Sequence, residues 1–149
     1  MRRSSNNRQD HREDKIPTHQ QTHQAGRHLA VGEALLRGHQ ASLAGAQTFI
    51  DVDGSRAAVL VAGKGAWMIA DVDKFTDSTI AAYVLVDVSG AHPRFYIAPG
   101  DELRHDVRQR HQQFMDRVGV RPRNSESLHT KIEPQNVARW EDNWSAFDR

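Results

Sequence analysis

Apolar residues are nearly absent from the first 25 positions and then return with a period that changes along the chain. Between Met1 and Ala25 only Ile16 and Ala25 add aliphatic surface beyond the initiator methionine, and no aromatic occurs. Such a stretch cannot bury enough apolar area to offset the entropy of ordering it, so residues 1–25 are expected to form a disordered polar tail. From Arg27 onward Leu29, Val31, Ala34 and Leu35 recur at helical spacing and meet Arg37-Gly38, a glycine stop. The spacing predicts a first helix over 26–37.

Shorter apolar runs follow. Residues 47–52 and 57–62 read as strands around Asp53-Gly54-Ser55, because Asp-Gly tolerates the positive φ of a tight hairpin. Gly63-Lys64-Gly65 turns into a further strand over 66–70, and residues 71–79 are polar and rich in capping residues. Residues 83–88 (YVLVDV) and 94–98 (RFYIA) predict a second hairpin. The nearly continuous apolar run YVLV is what a central strand covered on both faces requires. A long helix is expected over 101–118, with Leu103, Val107, Phe114 and Val118 as its apolar stripe and His111 at the same spacing. Residues 119–127 read as loop. Pro134 then opens a last helix with Val137, Trp140, Trp144 and Phe147 at steps of three and four. The fold class is α/β (α+β), a mixed sheet of about five strands flanked by helices, in one domain over 26–149.

Composition narrows the possibilities. The chain has 149 residues and no cysteine, which removes disulfides and thiolate metal sites and fits a reducing, cytoplasmic setting. No apolar run approaches the roughly 20 residues of a membrane helix, and no hydrophobic segment of a secretory signal follows the basic start. Lys and Arg total 20 against 19 Asp and Glu. Global charge therefore gives no support for nucleic-acid binding, and any such role has to rest on a local patch.

The order of a helix, a strand, a strand bearing a conspicuous Asp, a strand with V-x-V, further strands and a closing helix resembles the PD-(D/E)XK nuclease superfamily. More narrowly, the chain is similar to small restriction-endonuclease-like and Holliday-junction-resolvase-like domains of bacteria and phages. The carrying segments are LLRGHQASLAG, FIDVDGSRAAVLVAGKGAWMI, YVLVDVSGAHPRFYIAPGDEL and the Trp-bearing IEPQNVARWEDNW. The resemblance implies a restriction-endonuclease-like core, with an Asp and a second ligand on the next strand holding Mg²⁺ and a Lys two positions on orienting the attacking water. Asp51 matches the Asp, but the V-x-V-K element aligns with Val59-Leu60-Val61-Ala62. Leu60 and Ala62 then stand where the second ligand and the lysine belong.

A displaced site is one alternative: Asp51 and Asp53 as metal ligands, with Lys64 on the same face of an uninterrupted strand. Against it, Gly63 and Gly65 flank Lys64 and suggest a turn; Asp51 and Asp53 also suit an ordinary hairpin. Arg104 and Arg108, sharing a helix face, with Arg121 and Arg123 beyond it, are the candidate phosphate contacts, although Asp101, Glu102, Asp106 and Asp116 lie among them. His19, His23 and His28 lack a further ligand at zinc spacing. Trp67, Trp140 and Trp144 suit core packing better than base stacking. Three readings follow: a DNA-associated protein of nuclease-like fold without cleavage, a divergent Mg²⁺-dependent nuclease, or an assembly protein that binds a protein partner or its own copies. The first is preferred.

Overall fold

The computed structural model describes residues 15–45, 48–118 and 128–148. It begins with helix α1 (His19–Leu36), whose Thr18 side chain accepts from the Gln21 N–H while Gln21 returns a bond to the Thr18 N–H. This reciprocal cap fixes the helix start. Three strands follow, β1 (Ala41–Ala44), β2 (Phe49–Val52) and β3 (Ser55–Ala62), each antiparallel to the next. After β4 (Trp67–Ile69) and the one-turn helix α2 (Val72–Thr76), β5 (Ala82–Asp87) returns parallel to β3 and pairs antiparallel with β6 (Arg94–Pro99). Helix α3 (Gly100–Val118) leads to β7 (Thr130–Ile132), which pairs with β4 in a separate two-stranded sheet. A short helix α4 (Pro134–Val137) and two 3₁₀ turns, Ala138–Trp140 and Trp144–Phe147, complete the described chain. The main sheet is thus mixed and five-stranded, in the order β1-β2-β3-β5-β6. No helix among the described residues is long and apolar enough to cross a membrane.

Side-chain alternation with period two sends each strand's residues into two cores. Ile50, Val52, Ala57, Val59, Val84, Val86 and Ile97 face α1, Trp144 and Phe147. Ala58, Ala62, Tyr83, Leu85, Tyr96 and Ala98 face Leu103 and Val107 of α3 together with Trp67, Ile132 and Trp140. All six residues of β5 are buried, as its apolar run requires of a strand covered on both sides. Each fully buried Ile or Leu contributes about 1.5–3 kcal/mol. Trp67 adds a directed contact, its indole N–H donating to the Val86 carbonyl at 3.1 Å, with its ring edge-on to Tyr96.

Four expectations need correction. Helix α1 starts at His19, inside the segment expected to be tail; residues 1–14 of that tail lie outside the described residues. Just beyond that segment the helix docks through Gly26, where a Cβ would come 2.2 Å from Val61 Cγ2, and through the buried Arg27, which donates to the Phe49 carbonyl at 3.2 Å. Neither residue gives an apolar signal. Strands β1 and β7 are unexpected, and the strand expected over 66–70, here β4, pairs with β7 outside the main sheet, where β1 takes the fifth place. On α3, Met115 is buried whereas Phe114 and Val118 are exposed, so the stripe runs in steps of four through Leu103, Val107, His111 and Met115. The expected last helix is broken, because Trp140 packs into the core beneath α3 while Trp144 and Phe147 pack into the core beneath α1. The expected loop over 119–127 lies outside the described residues.

The close approach at Gly26 makes a direct test. Alanine favours a helix over glycine by about 1 kcal/mol, yet Gly26→Ala is expected to lower stability in urea unfolding by about 1–3 kcal/mol through overpacking. Val61→Ala opens the same space, so the double variant should lose less than the two single losses combined.

Candidate functional site

The hairpin joining β2 to β3 decides the fate of the expected catalytic residues. Asp53 and Gly54 both have positive φ, 50° and 85°, the signature of the turn that an Asp-Gly pair closes most easily. Asp51 stays on the strand, opposite Arg56 in the register, and accepts from the Arg56 Nε at 3.2 Å. It lies on the sheet face of Phe49, the side that α3 covers. The turn carries Asp53 off that face. One of its carboxylate oxygens accepts from the Gln40 N–H at 2.9 Å and the other meets His39 Nδ1 at 2.5 Å. These bonds, the one from His39 first, hold the Asp53 carboxyl below the usual carboxylate range.

Lys64 is separated from both. From Arg56, the partner of Asp51, to Ala62 at the end of β3 the chain advances about 20 Å at roughly 3.3 Å per residue. Lys64 lies still further on, exposed, between Gly63 and a Gly65 with φ of 86°. Asp51, Asp53 and Lys64 therefore do not converge, and an Mg²⁺ site on Asp51 and Asp53 has its two carboxylates turned apart. Leu60 and Ala62 do share the face of Asp51, but they lie beyond the paired residues of β2, whose register ends at Phe49 opposite Ala58. The restriction-type geometry is missing in position as well as in residue type.

The expected phosphate contacts are committed elsewhere. Arg104 is buried and donates to the Ile80 carbonyl at 2.8 Å, the Tyr83 hydroxyl at 3.1 Å and the Asp101 carboxylate at 2.7 Å. Arg108 reaches Thr76 and pairs with Asp73, which ties α3 to α2. Arg121 and Arg123 lie outside the described residues. Trp67, Trp140 and Trp144 are buried and offer no stacking surface.

What the fold does assemble is a different group. His39 from the connection between α1 and β1, Asp53 from the hairpin and Asp148 after the last 3₁₀ turn each present one ligand atom, all within 4.8 Å of one another. The His39 side chain is only 10% exposed, with its ring centroid 6.3 Å from that of Trp144 and 6.1 Å from that of Phe147. Only Asp53 was singled out from the sequence. His39 and Asp148 stand 109 positions apart in numbering, at no motif spacing that could have marked them.

A second histidine pair sits on the first turns of α1. The rings of His19 and His23 are 4.7 Å apart, an i,i+4 contact. Burial, and then the nearby His19, lower the His23 pKa from its ordinary 6.5.

Two tests follow. Arg104→Met should cost about 1–3 kcal/mol in urea unfolding, because the Ile80 carbonyl and Tyr83 hydroxyl lose their buried donor. For His23, the folded chain binds fewer protons than the unfolded chain once the pH falls below about 6.5. Stability should therefore decline between pH 7.5 and 5, and His23→Gln should flatten that part of a Tm-against-pH curve.

Compared with known proteins, the chain matches no family model, no curated protein and no solved structure.

Proposed function

We propose that this chain is an assembly protein that associates with its own copies through β1, on a restriction-endonuclease-like frame that does not cleave phosphodiesters. The observation that carries the reading is the free edge of the main sheet. Among the described residues strand β1 ends the strand order and pairs only with β2. Its sequence, Ala-Ser-Leu-Ala, has no charge and no proline. Soluble proteins ordinarily blunt such an edge with charged residues, proline or a covering segment, because its unpaired N–H and C=O groups template a further strand.

The surroundings are apolar as well. Leu43 on β1 is 42% exposed, and Leu36, at the end of the helix that packs on β1, is 85% exposed, with Leu35 exposed beside it. The opposite edge is not equivalent, since β6 bridges to Glu141 through Tyr96. An antiparallel edge strand pairs with its own copy across a two-fold axis, and the leucines of each subunit then meet the same patch of the other. No like charges are brought together within the strand itself, so a second copy is the occupant that this edge accepts without any further complement.

What supports the nuclease-like frame is the element order: a helix, three antiparallel strands, then, after β4 of the small second sheet, a short helix and a strand returning parallel to β3. The non-cleaving part rests on the separation of Asp51, Asp53 and Lys64. DNA association has less to support it, because Arg104 and Arg108 are spent on internal contacts.

Light scattering coupled to size exclusion should give a dimer mass, and Leu43→Lys should return the monomer with unchanged circular dichroism. A monomeric wild type overturns the proposal. Supercoiled plasmid should stay intact in Mg²⁺ or Mn²⁺. A gel shift of duplex DNA that weakens steeply with salt would favour the DNA-associated reading instead.

A further inference from the structure

We propose that His39, Asp53 and Asp148 form a binding site for one divalent transition-metal ion, of which Zn²⁺ is the best-suited probe. The donor set is one imidazole nitrogen and two carboxylates, each presenting an atom within 4.8 Å of the others. A tetrahedral ion about 2.0–2.2 Å from each donor would hold them roughly 3.3–3.6 Å apart, so small side-chain rotations that open the 2.5 Å His39–Asp53 contact and draw Asp148 in would complete the set. Three protein donors leave a further position for water. The imidazole favours Zn²⁺ or another transition ion over Mg²⁺, which prefers an octahedron of oxygens.

The charge balance points the same way. Two carboxylates are brought together here, and among the described residues neither is ion-paired to a lysine or arginine; the nearby Arg37 is engaged with Glu33 and Asp142. Among the described residues the one basic group paired with either carboxylate is His39, on Asp53, and it carries charge only when protonated. A divalent cation neutralises both carboxylates with the imidazole in its neutral, ligating form.

The setting is also that of a built site. The His39 ring is nine-tenths buried and flanked by Trp144 and Phe147. The Asp53 carboxylate is already oriented by the Gln40 N–H, an outer hydrogen bond of the kind that fixes metal-binding carboxylates. The three donors come from the α1–β1 connection, the β2–β3 hairpin and the C-terminal segment. An ion would therefore clamp the C-terminal segment, with Trp144 and Phe147, over the core beneath α1. Its role is structural, and it is independent of self-association at β1.

Titration of the full chain with Zn²⁺ by calorimetry, alongside thermal unfolding, tests the site. One equivalent should bind and raise Tm, and Mg²⁺ at the same concentration should do neither. Asp148→Asn and Asp53→Asn each remove a charged ligand while keeping the side-chain shape. Each should weaken binding by more than the roughly 10–100-fold typical of losing an outer partner. Asp148 is exposed, so that variant should keep the metal-free Tm of the wild type and separate ligand loss from misfolding. The pair His19 and His23 is a competing chelate, and the variant His19→Gln/His23→Gln should still bind one equivalent. Absence of binding, unchanged affinity in Asp148→Asn, or loss of the equivalent with His19 and His23 would each overturn the proposal.

Discussion

Strand β3 is antiparallel to β2 on one side and parallel to β5 on the other, and everything else in the domain is registered on that pairing. Antiparallel neighbours need only a two-residue turn, but a parallel neighbour requires the chain to cross a face of the sheet before it can return. The crossing here contains β4 and α2, and it brings Trp67 and Val72 into the core that α3 completes. Because β3 and β5 are covered on both faces, residues 57–62 and 82–86 are each assigned to one core or the other. A one-residue slip would exchange Val59 and Val84 with Leu60 and Leu85 and disrupt both cores at once.

The same register keeps Asp51 and Lys64 apart. A metal-dependent site of the nuclease type needs its acidic residue and its lysine at one end of adjacent strands. Here Asp51 is held at the start of β3 by its place in a tight hairpin, opposite Arg56, while the first lysine after the strand lies past its far end. Placing a glutamate at Leu60 and a lysine at Ala62 would still leave them beyond the paired part of β2. The difference from a working nuclease site is therefore one of strand offset, and point substitution does not repair an offset.

Legibility followed where the structural cause is local. The Asp-Gly turn, the buried run of β5 and the second hairpin were readable because turn chemistry and period-two apolar runs are written in adjacent residues. Strand β1 was not, since Ala-Ser-Leu-Ala is held at the edge by backbone pairing and shows no alternation. The first two turns of α1 were hidden because residues 19–24 are polar and none of them is buried, so they carry no apolar periodicity. The spacing of Trp140, Trp144 and Phe147 fitted one helix face, yet these residues serve opposite cores. Asp53 was visible as a candidate for the wrong site, because alternation was extended through a residue whose positive φ ends it.

The path that separates those aromatics is also what links the two cores. Between Trp140 and Trp144 the chain rounds the β6 edge: Glu141 bridges to Tyr96, the Asp142 N–H donates to the Phe95 carbonyl at 2.9 Å, and Asn143 donates to the Ile97 carbonyl at 3.1 Å. Asp142, with φ of 54°, makes the reversal, and Arg94 grips Glu141 with two bonds of 3.0 and 3.1 Å. This strap occupies one edge of the sheet with side-chain and turn contacts, and among the described residues β1 at the other edge has nothing comparable. The asymmetry leaves one edge closed within the chain and, among the described residues, the other open, which is the edge proposed above for a second copy. It also explains why the His39, Asp53 and Asp148 group forms beneath the end of the strap, where the last residues must be held against the α1 face.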